Sequence, residues 1–135
     1  MEKTSCYSYF AIKGNFIPAE VTNLLGLQPT KSWAIGDPRT WGGVHDFACW
    51  EYGRTHMEYP GMEMQCYNVV KDLIGKEDAL ISLKDQSDVS FVLEIVPSIR
   101  AGKPPAIDFG ADVIKFCHLT ATDIDIDMYI YPYNE

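Results

Sequence analysis

Asp123-Ile124-Asp125-Ile126-Asp127-Met128-Tyr129-Ile130-Tyr131 is the most regular stretch of the chain. Ile124, Ile126, Met128 and Ile130 fall on one side of an extended backbone, and Asp123, Asp125 and Asp127 on the other. Successive side chains of a strand point to opposite faces, so strict period-two alternation marks a strand with one face in the core and one in water. The stretch predicts a half-buried closing strand and a sheet that is wetted on one side.

Working back from it, Gly110 to Leu119 reads as a helix with Val113, Phe116 and Cys117 inward. Val89 to Val96 reads as an internal strand, with Phe91, Leu93 and Ile95 on one face, Val92 and Val96 on the other, and Pro97 closing it. Ala79 to Leu83 fits either a helical turn or a short strand. Met62, Cys66, Val69, Val70, Leu73 and Ile74 recur at helical spacing up to Gly75, and Tyr59-Pro60-Gly61 is a turn signal. Ala48 to Tyr52 is a second strand carrying Trp50. Thr30 to Gly43, with three Gly, two Trp and the turn former Gly36-Asp37-Pro38, reads as an ordered irregular loop. Pro18 starts a short helix with Val21, Leu24 and Leu25 as its apolar stripe and Gly26 as its stop. Ser5 to Lys13 is an aromatic and β-branched strand buried on both faces. The sum is an α+β fold: one domain over residues 1–135, with a single mixed or antiparallel sheet of about four strands and two or three helices largely on one face.

A chain of 135 residues with 47% hydrophobic and 22% charged residues has globular proportions, which excludes general disorder. Lys and Arg total 11 against 19 Asp and Glu, a net charge of -8. That balance repels nucleic acid and anionic membrane surfaces and favours a basic partner. The first residues hold an early acid and no apolar run, so no secretory signal is expected. No apolar run approaches the roughly 20 residues of a membrane span. Cys6, Cys49, Cys66 and Cys117 form no C-x-x-C pair and read as reduced, mostly buried thiols of a cytoplasmic protein.

Two groups of residues could carry recognition. On a strand, side chains at i and i+2 stand about 6.8 Å apart. That is too wide for Asp123, Asp125 and Asp127 to grip one cation, whose oxygen ligands lie roughly 2.0–2.6 Å away. The row reads either as a solvated face that protects a sheet edge, or as an acidic ladder fitted to the basic groove of a nucleic-acid-binding protein. Trp33 and Trp41, in the glycine-rich loop, are candidate interface anchors, whereas Trp50 belongs to the core. His45, Cys49 and His56 match no zinc spacing, and His118 beside Cys117 carries no more signal. No catalytic residue, metal site or cofactor is expected.

Leu24-Leu25-Gly26-Leu27-Gln28-Pro29-Thr30, then Gly36-Asp37, then Trp50, then Asp125-Ile126-Asp127-Met128-Tyr129 resembles the pattern of a family of small bacterial proteins known only as a domain of unknown function. The resemblance covers nearly the whole chain, which departs from it in a longer, Trp-richer Pro38 to Gly43. Members of such families are similar to immunity partners of polymorphic or contact-dependent toxins. The resemblance therefore implies a non-enzymatic protein that neutralises a cognate toxin, expected to be a basic nuclease, by direct binding. Asp123, Asp125 and Asp127 would pair with its basic residues, and Trp33 and Trp41 would anchor it. The alternative is a small-molecule or sugar-binding module that uses the loop around Trp33 and Trp41 as a stacking platform.

Overall fold

The computed structural model describes residues 2–132. In chain order the elements are β1 (Ser5–Gly14), α1 (Pro18–Leu25), β2 (Lys31–Trp33), β3 (Ala48–Glu58), α2 (Gln65–Val70), α3 (Glu77–Gln86), β4 (Val89–Ile99), α4 (Ala111–Thr120), β5 (Asp123–Ile126) and β6 (Tyr129–Ile130). They form one mixed sheet in the order β2-β3-β1-β4-β5, with β6 following β5 alongside β4. All pairings are antiparallel except those of β5 and β6 with β4. The parallel step follows from α4, because a crossover helix returns the chain in the direction it left.

Phe10, Ile12, Trp50, Phe91, Leu93 and Ile95 on one face of the sheet meet Val21, Leu25, Val69, Leu80, Val113 and Phe116 from all four helices, and Leu73 from the turns after α2. Phe10 lies at the middle of this core, its ring 5.7 Å from Phe91 and 5.8 Å from Phe116. The helices thus cover one face, as the sequence predicts. The motif residues hold this arrangement together. Gly26 takes the left-handed conformation that ends α1, and Trp50 donates its indole N–H to Thr22 Oγ1 at 3.0 Å. Thr30 is tied to the Glu51 carbonyl by its backbone N–H at 2.8 Å and its hydroxyl at 3.2 Å. Asp37 accepts the Ala34 N–H at 2.8 Å and so closes the turn after β2.

Several expectations need correction. The described sheet has six strands rather than about four, and there are four helices rather than two or three. Lys31–Trp33, expected in a loop, pairs with β3. Three residues beside a glycine-rich segment show no periodicity of their own. β3 runs on to Glu58 past a bulge in which Gly53 and Arg54 together face Tyr9. Gly53 has φ +75°, and a Cβ there would lie 2.3 Å from the Val69 carbonyl oxygen, so the bulge requires glycine. The undecided segment around Ala79 is helical, α2 stops at Val70 in a series of tight turns, and Leu24 points outward. The outer face of β1 is only half-buried at Tyr7, Tyr9 and Lys13.

Pro97 lies inside β4 rather than ending it. Ile95 and Ile99 both offer carbonyls to the last segment, to Asp127 N–H and Tyr131 N–H at 2.9 Å each. Residues two apart present backbone groups to the same side, so Pro97 faces that segment with no N–H to donate. The ladder breaks there, which divides the closing strand into β5 and β6. Nor is that strand half-buried: Ile124, Ile126, Met128 and Ile130 are between 41% and 72% exposed. The cause is the seat of α4, whose Phe116 packs inward on β1 and leaves the sheet edge beyond the helical layer.

Candidate functional site

No helix packs on the other face of the sheet within the core cluster. Residues opposite one another in neighbouring strands share a face, so the register describes that outer face row by row. One row runs Trp33, Cys49, Lys13, Ser90, and the next Lys31, Glu51, Ala11, Val92, Asp123. A third brings Tyr9, Glu94 and Asp125 side by side. Arg54, turned out by the bulge, lies over the rings of Tyr7 at 4.3 Å and Tyr9 at 5.4 Å. The face is electrically divided. Lys31, Arg54 and Lys13 stand on β2, β3 and β1 around the buried Glu51 of β3, whereas Glu94, Asp123 and Asp125 stand on β4 and β5.

The acidic half is strained. Glu94 and Asp125 are register partners on neighbouring strands, so their carboxyl groups stand side by side and repel one another. Partial burial, then the hydrogen bond and charge of Asp125, push the Glu94 carboxyl up to about 7, with Asp127 adding to the shift and Lys13 opposing it. Burial, then the charges of Glu51 and Glu94, push the Tyr9 phenol up to about 12. Glu51 is 7% exposed, and its buried Oε2 has no hydrogen-bond partner among the described residues. These groups make a poor metal centre: among the described residues no three of His, Cys, Asp and Glu are placed to hold a metal ion. The four cysteines are free and buried, and burial pushes the thiols of Cys49, Cys66 and Cys117 up.

The predicted site residues divide between the two edges of this one face. Asp123 and Asp125 lie on β5 and are exposed, Asp127 follows them and accepts the Tyr129 hydroxyl at 3.3 Å, and none of the three forms an ion pair with a described cation. Trp33 lies on β2, four strand spacings away, or about 19 Å. The two tryptophans are not equivalent. Trp33 is half-buried, stacks on His45 at 4.4 Å and donates its indole N–H to the Phe47 carbonyl at 2.9 Å. Trp41 is 73% exposed, meets His45 edge-on and carries Arg39 over its ring at 5.3 Å. Trp33 organises the loop, and Trp41 is the ring that the loop displays.

Glu94, Glu51, Tyr9 and Arg54 were not among the predicted residues. A signal existed for two of them. Glu94 is a lone carboxylate in the apolar run Phe91 to Val96, and Glu51 stands between Trp50 and Tyr52 in a strand read as core. Arg54 could not be seen, because the bulge that turns it outward depends on a tertiary approach at Gly53.

The sequence profile of a family described as a domain of unknown function (DUF4279) matches residues 4–131. No curated protein and no solved structure matches the chain. No helix of the described residues is long and apolar enough to cross a membrane.

Proposed function

This chain belongs to the DUF4279 family, and from that premise we propose that it is a non-enzymatic, cytoplasmic binding protein whose uncovered sheet face receives a basic partner protein. The observation that carries the reading is the acidic half of that face. Asp123, Asp125 and Asp127 form no ion pair with a described cation, and burial together with Asp125 raises the Glu94 carboxyl to about 7. A partner that brings Lys or Arg to this half supplies the missing charge, and the net charge of -8 steers its approach. Trp41 adds an exposed aromatic contact at the opposite edge. A partner spanning about 19 Å touches both, which is within a standard interface of about 800 Å² per side.

The partner in this proposal is a toxin, a basic nuclease by preference, and the role is immunity. Support for that finer step is the sequence resemblance together with the sign of the charge. The test is capture from lysate of the source cells with the tagged chain and with an Asp123→Asn, Asp125→Asn, Asp127→Asn variant. The expected result is one stoichiometric basic protein, lost at high salt and lost by the variant, whose toxicity on expression is relieved by the wild-type chain. A partner retained equally by the variant, with an unchanged association rate in stopped flow, removes the acidic face from the proposal.

A further inference from the structure

We infer that the free edge of β5 is a strand-addition site for an extended segment in which Lys or Arg alternates with apolar residues, supplied by the partner. The inference rests on the docking role proposed for the acidic half of the sheet and specifies how that half is read. Among the described residues β5 is the last strand of the sheet, hydrogen-bonded to β4 on one side only. Asp127 turns its N–H to Ile95, so by alternation Asp125 and Asp123 also direct their backbone groups to β4. The N–H and C=O of Ile124 and Ile126 therefore point away from the sheet, where an added strand can pair with them.

The side chains specify what such a strand must carry. On the outer face it meets Asp123, Asp125 and Asp127, and on the helix side it meets Ile124, Ile126 and Met128, all exposed. In an added strand, cations on one face and apolar groups on the other match both rows at once, because strand residues alternate with the same period. Exposed edges are ordinarily blunted by charge against unwanted pairing. Here the blunting is selective. A second copy pairing antiparallel through this edge would place aspartate against aspartate on the outer face, whereas a basic segment finds its counter-charges there. Backbone pairing would give affinity and the two side-chain rows specificity, as in other cases of strand addition.

The experiment compares three capped seven-residue peptides at low salt: alternating arginine and valine, an isomer with its arginines grouped, and the alternating peptide N-methylated on every second amide. Affinity is followed by amide shifts of the labelled protein, and hydrogen exchange is read at the Ile124 and Ile126 N–H groups. The expected result is binding of the alternating peptide at least ten-fold tighter than of either other, with slowed exchange at those two amides. Equal binding of all three without slowed exchange overturns strand addition, and leaves the wider docking role standing as a contact of charge alone. Binding of none overturns it as well. A dimer of the free protein in which the two amides are already slow to exchange overturns it in favour of a second copy. Failure of the docking role itself has a separate signature, the retention of the captured partner by the triple Asn variant.

Discussion

At the β2 edge of the sheet the chain answers its own chemistry. Trp33 gives its N–H to Phe47, its ring to His45 and receives Lys31 at 5.4 Å, while Arg39 covers Trp41 and donates through Nε to the Gly42 carbonyl. At the β5 edge, about 19 Å away on the same face, Asp123, Asp125 and Asp127 have no counter-charge among the described residues and four large apolar side chains lie in water. The two edges carry the residues that sequence reading singles out, yet they are in different states. Aromatic residues in a glycine-rich loop signal recognition only when they are left unsatisfied, and here one tryptophan is consumed by the loop it builds. The edge that remains unsatisfied is the acidic one, and it is where a partner gains most.

The first way to break this comparison is to treat the tryptophans as equals. Trp33→Ala removes a half-buried ring with its stacking and its hydrogen bond, and is expected to cost about 2 kcal/mol in urea unfolding. Trp41→Ala changes an exposed position and should stay within about 0.5 kcal/mol. Equal losses would make Trp41 structural and leave the β2 edge with nothing to offer.

The second concerns charge. Replacing Asp123, Asp125 and Asp127 by Asn should slow association with the captured partner by about ten-fold at low salt and flatten its salt dependence. Unfolding free energy should move by less than about 1 kcal/mol, since these are exposed positions and the hydrogen bond from the Tyr129 hydroxyl to Asp127 is itself exposed. A large loss of stability would show that the aspartates serve the fold, and the contrast between the edges would then collapse.

The period of the closing strand was legible because alternation is a local property. Its burial was not, because that depends on where α4 comes to rest. Likewise the apolar pattern of Val89 to Val96 revealed β4, but the rule that proline ends a strand overlooked that Pro97 can face a gap in the neighbouring ladder. The Asp row and Trp41 were visible as candidates in the sequence. Their shared face was not, since it follows from a register set by the whole sheet. Glu51 illustrates the same limit: read as part of a core strand, it is buried, but with an oxygen that no described residue satisfies. Glu51→Met should raise the unfolding free energy by about 1 kcal/mol in urea titration, because an unsatisfied buried acceptor is replaced by an apolar group of similar length. Unchanged or reduced stability would mean that Glu51 is already answered within the face.

The smallest effect tests the strain at the acidic edge itself. The Glu94 carboxyl is held near 7, above its ordinary value of 4.5. Between those two values the folded chain binds more protons than the unfolded one, so this group makes stability fall as pH rises through that window. Its contribution is favourable at pH 5 and lost by pH 8, the reverse of an ion-paired carboxylate. Because burial comes first and the neighbouring Asp125 second in raising the Glu94 carboxyl, Glu94→Gln should remove the slope and Asp125→Asn should reduce it. Thermal unfolding of wild type and Glu94→Gln at pH 5 and pH 8 isolates the effect: the wild-type Tm should decline relative to the variant by a few degrees, and parallel behaviour would deny the raised Glu94 carboxyl. The same proton links stability to recognition. A cation delivered to β5 favours the ionised Glu94 carboxylate and expels its proton, so affinity for a basic segment should rise as pH increases from 5 to 8, where the Glu94 contribution to the stability of the free protein is lost. Trp41, at an edge whose groups are already satisfied, should show no such dependence.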